Sequence, residues 1–247
     1  MVKYPLLKRV LVLIMLLFKR LRLLKVFYKI YDMFRLEPYL VSHRILRKDV
    51  KTVLDLGCGT RNPIQHMTKF GKYRVLRLSK VGVDAYLPYL LDAKRRGYMN
   101  LLVLADVRYL PFRSKSFDVV MALDLIEHLE KDNGLKLLTL MEEVAKKQVI
   151  VFTPVGFLLQ EPYDTILQLH RSGWYLKEFN SRGYKCRGIN GLFFLRGERG
   201  GPRFSGILGT IVLLLSFITE PFVHLIPSIA FQMICFKNID GDGEKLG

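Results

Sequence analysis

Val53-Leu54-Asp55-Leu56-Gly57-Cys58-Gly59-Thr60 is an apolar run, an acidic residue and then two glycines two apart. Read as structure, it is a buried strand that turns tightly into a loop whose backbone a ligand can approach. Glycine adopts the positive φ angles such a turn requires and puts no Cβ in the ligand's way. Asp55, at the carboxyl end of the run, adds a carboxylate able to accept hydrogen bonds from an ammonium group. Asn62 occupies the position of the third glycine in the dinucleotide fingerprint Gly-x-Gly-x-x-Gly. A nicotinamide or flavin reading is therefore disfavoured.

Outward from this stretch, short apolar runs alternate with helical or polar stretches. Strands are predicted at Thr52–Leu56, Lys80–Asp84, Leu101–Ala105, Phe117–Ala122 and Gln148–Thr153. They are rich in Val, Leu and Ile with little alternation, as parallel strands covered on both faces are. Leu87–Arg96 and Gly134–Lys146 supply crossover helices. The predicted fold class is α/β, a Rossmann-like doubly wound sheet with its ligand at the carboxyl ends of the strands. Gly188–Leu195 and Ser228–Lys237 read as closing antiparallel strands, so the sheet is expected to be mostly parallel, with apolar helical flanks.

Acidic residues follow three successive strands: Asp55, then Asp84 in V-G-V-D-A-Y, then Asp106 in L-A-D-V-R-Y-L-P-F. A carboxylate in the position of Asp84 can accept both hydroxyls of a ribose. The Val53–Thr60 stretch resembles motif I of the class I S-adenosylmethionine-dependent methyltransferases. Phe117–Leu129, F-D-V-V-M-A-L-D-L-I-E-H-L, resembles the fourth strand of those related to ubiquinone and menaquinone biosynthesis enzymes. His170-Arg171-Ser172-Gly173-Trp174 is similar to the His-x-Ser-Gly-Trp that follows their fifth strand. The resemblance implies S-adenosylmethionine as cofactor, held by Asp55, Gly57, Cys58, Gly59, Asp84, Ala85, Asp106, Val107 and Leu123. It places Asp84 on the ribose, Asp106 on the adenine amino group and the Val107 amide against the ring.

Methyl transfer from a sulfonium needs alignment, exclusion of water and sometimes removal of a proton, and the cofactor already carries the activated group. An elaborate catalytic constellation is neither required nor visible. His128 is the first candidate base, with Asp124 expected one helical turn earlier to orient it. The alternative is that Glu127 and His128 only pack or cap that helix. His170 is the second candidate, in an acceptor-side loop, and its alternative is a turn-stabilising contact with Ser172. No metal-ligand spacing stands out, and no metal is expected.

The 247 residues suit one α/β domain with appendages, and half of them are hydrophobic. Of the net charge of +17, eight cations precede the first acidic residue, Asp32. That distribution fits an anionic membrane surface or nucleic acid. Residues 1–36 therefore read as a basic, apolar helical segment. Its apolar stretch Val10–Phe18 spans only about 14 Å against a hydrocarbon core of about 30 Å, so it is expected to lie in the interface. A methyltransferase core is assigned to 37–203, an apolar helical insertion to 204–227, and the last core strand and tail to 228–247. Pro221 and Pro227 are expected to interrupt any single spanning helix in the insertion. Cys58, Cys186 and Cys235 are expected as buried thiols in a reducing compartment.

Together these readings predict a cytoplasmic methyltransferase, peripheral or monotopic on the membrane, that methylates an oxygen or carbon of a hydrophobic small-molecule or lipid acceptor. The positive charge motivates an RNA methyltransferase as an alternative. Against it, strand four leads into Asp124-Leu125-Ile126-Glu127, not the Asn/Asp-Pro-Pro-aromatic clamp of many exocyclic-amine methylases, and nucleic acid is not the expected partner. A third reading is a non-catalytic cofactor-binding scaffold at a membrane.

Overall fold

The apolar runs form the strands of one sheet. In the computed structural model, which describes residues 45–59, 64, 77–160, 164–197 and 200–240, they are β1 (Thr52–Leu56), β2 (Ser79–Asp84), β3 (Leu101–Leu104), β4 (Phe117–Leu123), β5 (Ala145–Pro154), β6 (Lys185–Leu192) and β7 (Ala230–Asn238). Their spatial order is β3-β2-β1-β4-β5-β7-β6. The first five run parallel, and β7 lies antiparallel to both β5 and β6. Strand order reverses between β1 and β4, and that switch point opens a crevice at their carboxyl ends.

Both faces of the central strands are covered, which is why their sequences do not alternate. Leu54, Leu56, Val120 and Ala122 pack on one side with Leu137, Leu138 and Met141. Val53, Val119, Met121, Ile150 and Phe152 pack on the other with Ala93 and Tyr98. α1 (Leu87–Arg96) has proline in its first turn and ends at Gly97, whose φ of +67° closes the helix in the left-handed region. α2 (Lys131–Val144) starts three residues before the expected Gly134 and leads directly into β5. α3 (Leu176–Asn180) is a short turn before β6.

Two expectations are corrected. The first concerns Pro221, which does not divide the insertion: α4 runs unbroken from Gly206 to Leu225 with that proline inside it. Only one turn follows the proline, and fully buried Val223 holds that turn in the core. At 20 residues the helix is about 30 Å long. The second concerns the thiols. Cys186 and Cys235 stand directly opposite each other in the β6–β7 register and form a disulfide, leaving Cys58 as the free, buried thiol. Antiparallel pairing brings facing side chains together in a way that linear spacing does not reveal. The expected N-terminal helical segment, 1–36, lies outside the described residues.

α4 docks on β6 because two glycines there leave room. A Cβ on Gly188 would sit 2.1 Å from the Val223 carbonyl oxygen, and one on Gly191 would sit 2.7 Å from the Ser216 Cα. Gly188→Ala should therefore force helix and sheet apart at a cost of about 3 kcal/mol. In a domain of this size that lowers Tm by roughly 6–12 °C. A melting curve superimposable on the wild type would show that the helix does not pack there.

Candidate active site

The glycine turn after β1 is fastened from three sides. The Cys58 amide donates to the Val83 carbonyl at 3.0 Å, and the Gly59 amide donates to Asp84 Oδ2 at 2.9 Å. The Tyr98 hydroxyl donates to the Gly59 carbonyl at 3.0 Å. Gly57 and Gly59 have φ of +67° and +43°. A Cβ on Gly57 would meet Leu125 Cδ1 at 2.7 Å, whereas one on Gly59 would have nothing nearer than 3.7 Å. The first glycine is thus required by packing, and the second leaves the backbone open to a ligand. Gly82 on β2 makes room for the buried Cys58 thiol, since a Cβ there would lie 2.9 Å from Sγ.

This turn forms one wall of a cavity of about 720 Å³, within the range of small-molecule sites. Gly57, Cys58, Gly59, Asp84, Ala85, Asp106, Val107, Leu123 and His128 all line it. The strand-end reading therefore places nearly all the predicted residues around one space. Asp55 lies deeper, fully buried behind the turn. Asp84 is buried, and burial raises its pKa while the amides of Tyr86 and Gly59 pull it back. Its Oδ1 accepts from the Tyr86 amide at 2.9 Å, so this carboxylate joins the β1 and β2 loops across the crevice. Asp106 is gripped by Arg108, whose Nε lies 3.0 and 2.9 Å from its two oxygens. That guanidinium holds the Asp106 carboxyl below the usual carboxylate range.

The acceptor side is built differently from the sequence expectation. His128 sits on a 3-10 turn, Ile126–His128, and not on a helix. Its Nδ1 lies 3.3 Å from the Leu169 carbonyl. Asp124, expected to orient it, adopts a φ of +52°, and its Oδ1 accepts from Gln232 Nε2 at 2.9 Å. The His170–Trp174 loop wraps over this turn. The Arg171 and Ser172 amides both donate to the Glu127 carbonyl, at 2.8 and 3.1 Å. Trp174 Nε1 donates to Ser172 Oγ at 3.0 Å, and the indole is fully buried. A Cβ on Gly134 would meet that ring at 2.4 Å, and one on Gly173 would meet the Phe157 amide nitrogen at 2.6 Å. The His-x-Ser-Gly-Trp pattern is thus a clamp that sets His170 beside His128, with ring centroids 4.8 Å apart.

Glu127 completes the group. It is buried and accepts from the Thr153 hydroxyl at 3.0 Å. Burial raises its pKa to about 7, with the nearby His170 opposing. Burial also lowers both imidazoles from their ordinary value, so they are neutral at neutral pH. Several cavity residues were not singled out in the sequence: Tyr86, Tyr89, Arg108, Asn133, Gln168 and Arg171. Tyr86 and Tyr89 could have been found, because they open the helix directly after Asp84. Gln168 and Arg171 come from a loop without regular periodicity.

The surroundings fit an adenosyl cofactor: an open glycine turn, a buried carboxylate where ribose is expected, and a second carboxylate at the rim. A family model described as a methyltransferase domain matches residues 54–153. An uncharacterized protein of Methanocaldococcus jannaschii is 27% identical over 147 residues, 58% of this chain and 59% of that protein. The chain thus spans about three-fifths of the length of this curated relative. A solved S-adenosylmethionine-dependent methyltransferase from Archaeoglobus fulgidus is 19% identical, with a TM-score of 0.51 over 83% of this chain and 92% of that one. The solved small RNA methyltransferase HEN1 is 17% identical, with a TM-score of 0.54 over 86% of this chain and 26% of that one.

Proposed function

We propose, from a chain whose core is a class I S-adenosylmethionine-dependent methyltransferase domain, that the protein methylates an oxygen or carbon of a hydrophobic or lipid-linked acceptor at a membrane surface. S-adenosylmethionine supplies the activated methyl group and leaves as S-adenosylhomocysteine. Asp84, Asp106 and the Gly57–Gly59 backbone would hold the cofactor, leaving the His128 side of the cavity, backed by buried Glu127 and His170, for the acceptor. There the neutral His128 imidazole can take the proton that an acceptor hydroxyl releases. The buried wall around them excludes water from the reacting atoms.

The observation that carries the acceptor class is the outer face of α4. Leu208, Ile211, Leu215, Ile218, Phe222 and Leu225 recur at helical spacing and are 42–79% exposed. The single charged residue of α4, Glu220, faces inward, and its carboxylate accepts from the Asn190 and Gly191 amides at 3.1 and 2.8 Å. An ordinary surface helix carries its charges outward. α4 is also tied to the cavity: Asn190 Nδ2 donates to Gln232 Oε1 at 2.6 Å, and Gln232 in turn donates to Asp124 in the cavity wall. The eight cations before Asp32 add attraction to anionic head groups.

Incubating the full chain with methyl-labelled cofactor, a total lipid extract and total RNA tests the reading. Label is expected in the organic phase, on a product identified by mass spectrometry. Label in the RNA, or cofactor binding with no labelled product, would overturn it.

A further inference from the structure

Glu127, His128 and His170 each offer one ligand atom, and these atoms lie within 4.8 Å of one another. We infer that the three residues form a site for a borderline divalent metal ion such as zinc, cobalt or iron(II), on the acceptor side of the cavity. The inference deepens the function proposed above and rests on it for its biological role. Ligand atoms around an ion at about 2.1 Å stand roughly 3–4 Å apart, so the group closes with side-chain shifts below about 1 Å.

The surroundings are those of a metal centre's supporting shell. His170 Nδ1 lies 2.6 Å from the Leu158 carbonyl, and His128 Nδ1 lies 3.3 Å from that of Leu169. Such carbonyls place the ring proton on Nδ1 and leave the Nε2 lone pair for a cation. Thr153 fixes the carboxylate by donating to Glu127 Oε2. The Arg171 and Ser172 amides pin the Glu127 backbone, so the two halves of the site are locked together. Two nitrogens and one oxygen suit zinc, cobalt or iron(II) better than manganese, magnesium or calcium, which prefer oxygen donors. Three protein ligands leave coordination positions open. Because His128 reaches the cavity wall, an acceptor hydroxyl can occupy one of them and ionise more readily there. Burying a carboxylate also becomes less costly when a cation sits beside it.

The test uses full-length protein stripped with a chelator and titrated with cobalt(II) chloride. One cobalt per chain is expected, with visible d–d absorption that zinc abolishes by displacement. Glu127→Gln and His170→Ala should each weaken cobalt binding at least about 100-fold. Thr153→Val, which alters only the support of the carboxylate, should weaken it about 10-fold. Calorimetry with S-adenosylhomocysteine on the same Thr153→Val protein should match the wild type, which separates loss of the metal site from loss of the cofactor site. Absence of cobalt absorption in the wild type, or equal cobalt affinity in wild type and a Glu127→Gln/His170→Ala double variant, would overturn the inference and leave a buried acid–imidazole cluster.

Discussion

Asp84→Asn should raise the dissociation constants of S-adenosylmethionine and S-adenosylhomocysteine at least about 100-fold while the protein stays folded. In the wild type, the carboxylate accepts the Gly59 amide on one oxygen and the Tyr86 amide on the other, both at 2.9 Å. An asparagine amide presents hydrogens where one of those donors already points, so one loop is released. Hydrogen bonds to a charged group contribute about 1.5–3 kcal/mol each. Losing one of these and one to the ribose costs about 3 kcal/mol or more, and 2.8 kcal/mol is a hundredfold in affinity. Asp106→Asn should cost less, about tenfold, because Asp106 sits at the rim and its charge is already shared with exposed Arg108. Calorimetry with both ligands, alongside circular dichroism, measures this ordering. Equal affinity in Asp84→Asn and wild type would remove Asp84 from the ribose.

Much of this site was legible because its logic is local. Each candidate cofactor residue lies at the carboxyl end of its strand or within three residues beyond it, and parallel packing then carries the strand tips to a common edge. The Val53–Gly59 turn needs glycine for reasons visible in the sequence itself, so the fold and this wall of the cavity emerged together. The acceptor side was not legible, because its order comes from distant contacts. Glu127 and His170 are 43 positions apart and meet only because two loop amides grip the Glu127 carbonyl. Helical periodicity suggested Asp124 as the partner of His128, but the turn after β4 is 3-10, and a carbonyl from the His170 loop orients the ring. Pro221 misled for a related reason: local propensity disfavours a continuous helix, whereas packing on Gly188 and Gly191 of β6 supports one. The disulfide likewise depends on register and not on spacing.

The same packing sets the largest effect expected here. Changing Leu208, Ile211, Leu215, Ile218 and Phe222 together to glutamine should lower partitioning onto zwitterionic phosphatidylcholine vesicles by about 1,000-fold. These side chains are already about half exposed or more, so each can transfer roughly 1 kcal/mol of apolar burial to a bilayer. Five contribute about 5 kcal/mol, and three orders of magnitude need about 4 kcal/mol. Folding should survive, because the inward stripe of Leu213, Ser216, Glu220 and Val223 is untouched. Vesicles without net charge isolate this term from the cations before Asp32. On anionic vesicles the variant should keep a weaker, salt-sensitive attachment, since screening shortens the reach of those charges. Flotation of wild type and variant over both lipid compositions gives the four values needed. Should wild-type protein remain in the aqueous fraction with both lipids and sediment as a dimer that the variant cannot form, the outer face of α4 binds a second copy of the chain. The membrane reading of this helix would then be wrong, with the cofactor site unaffected.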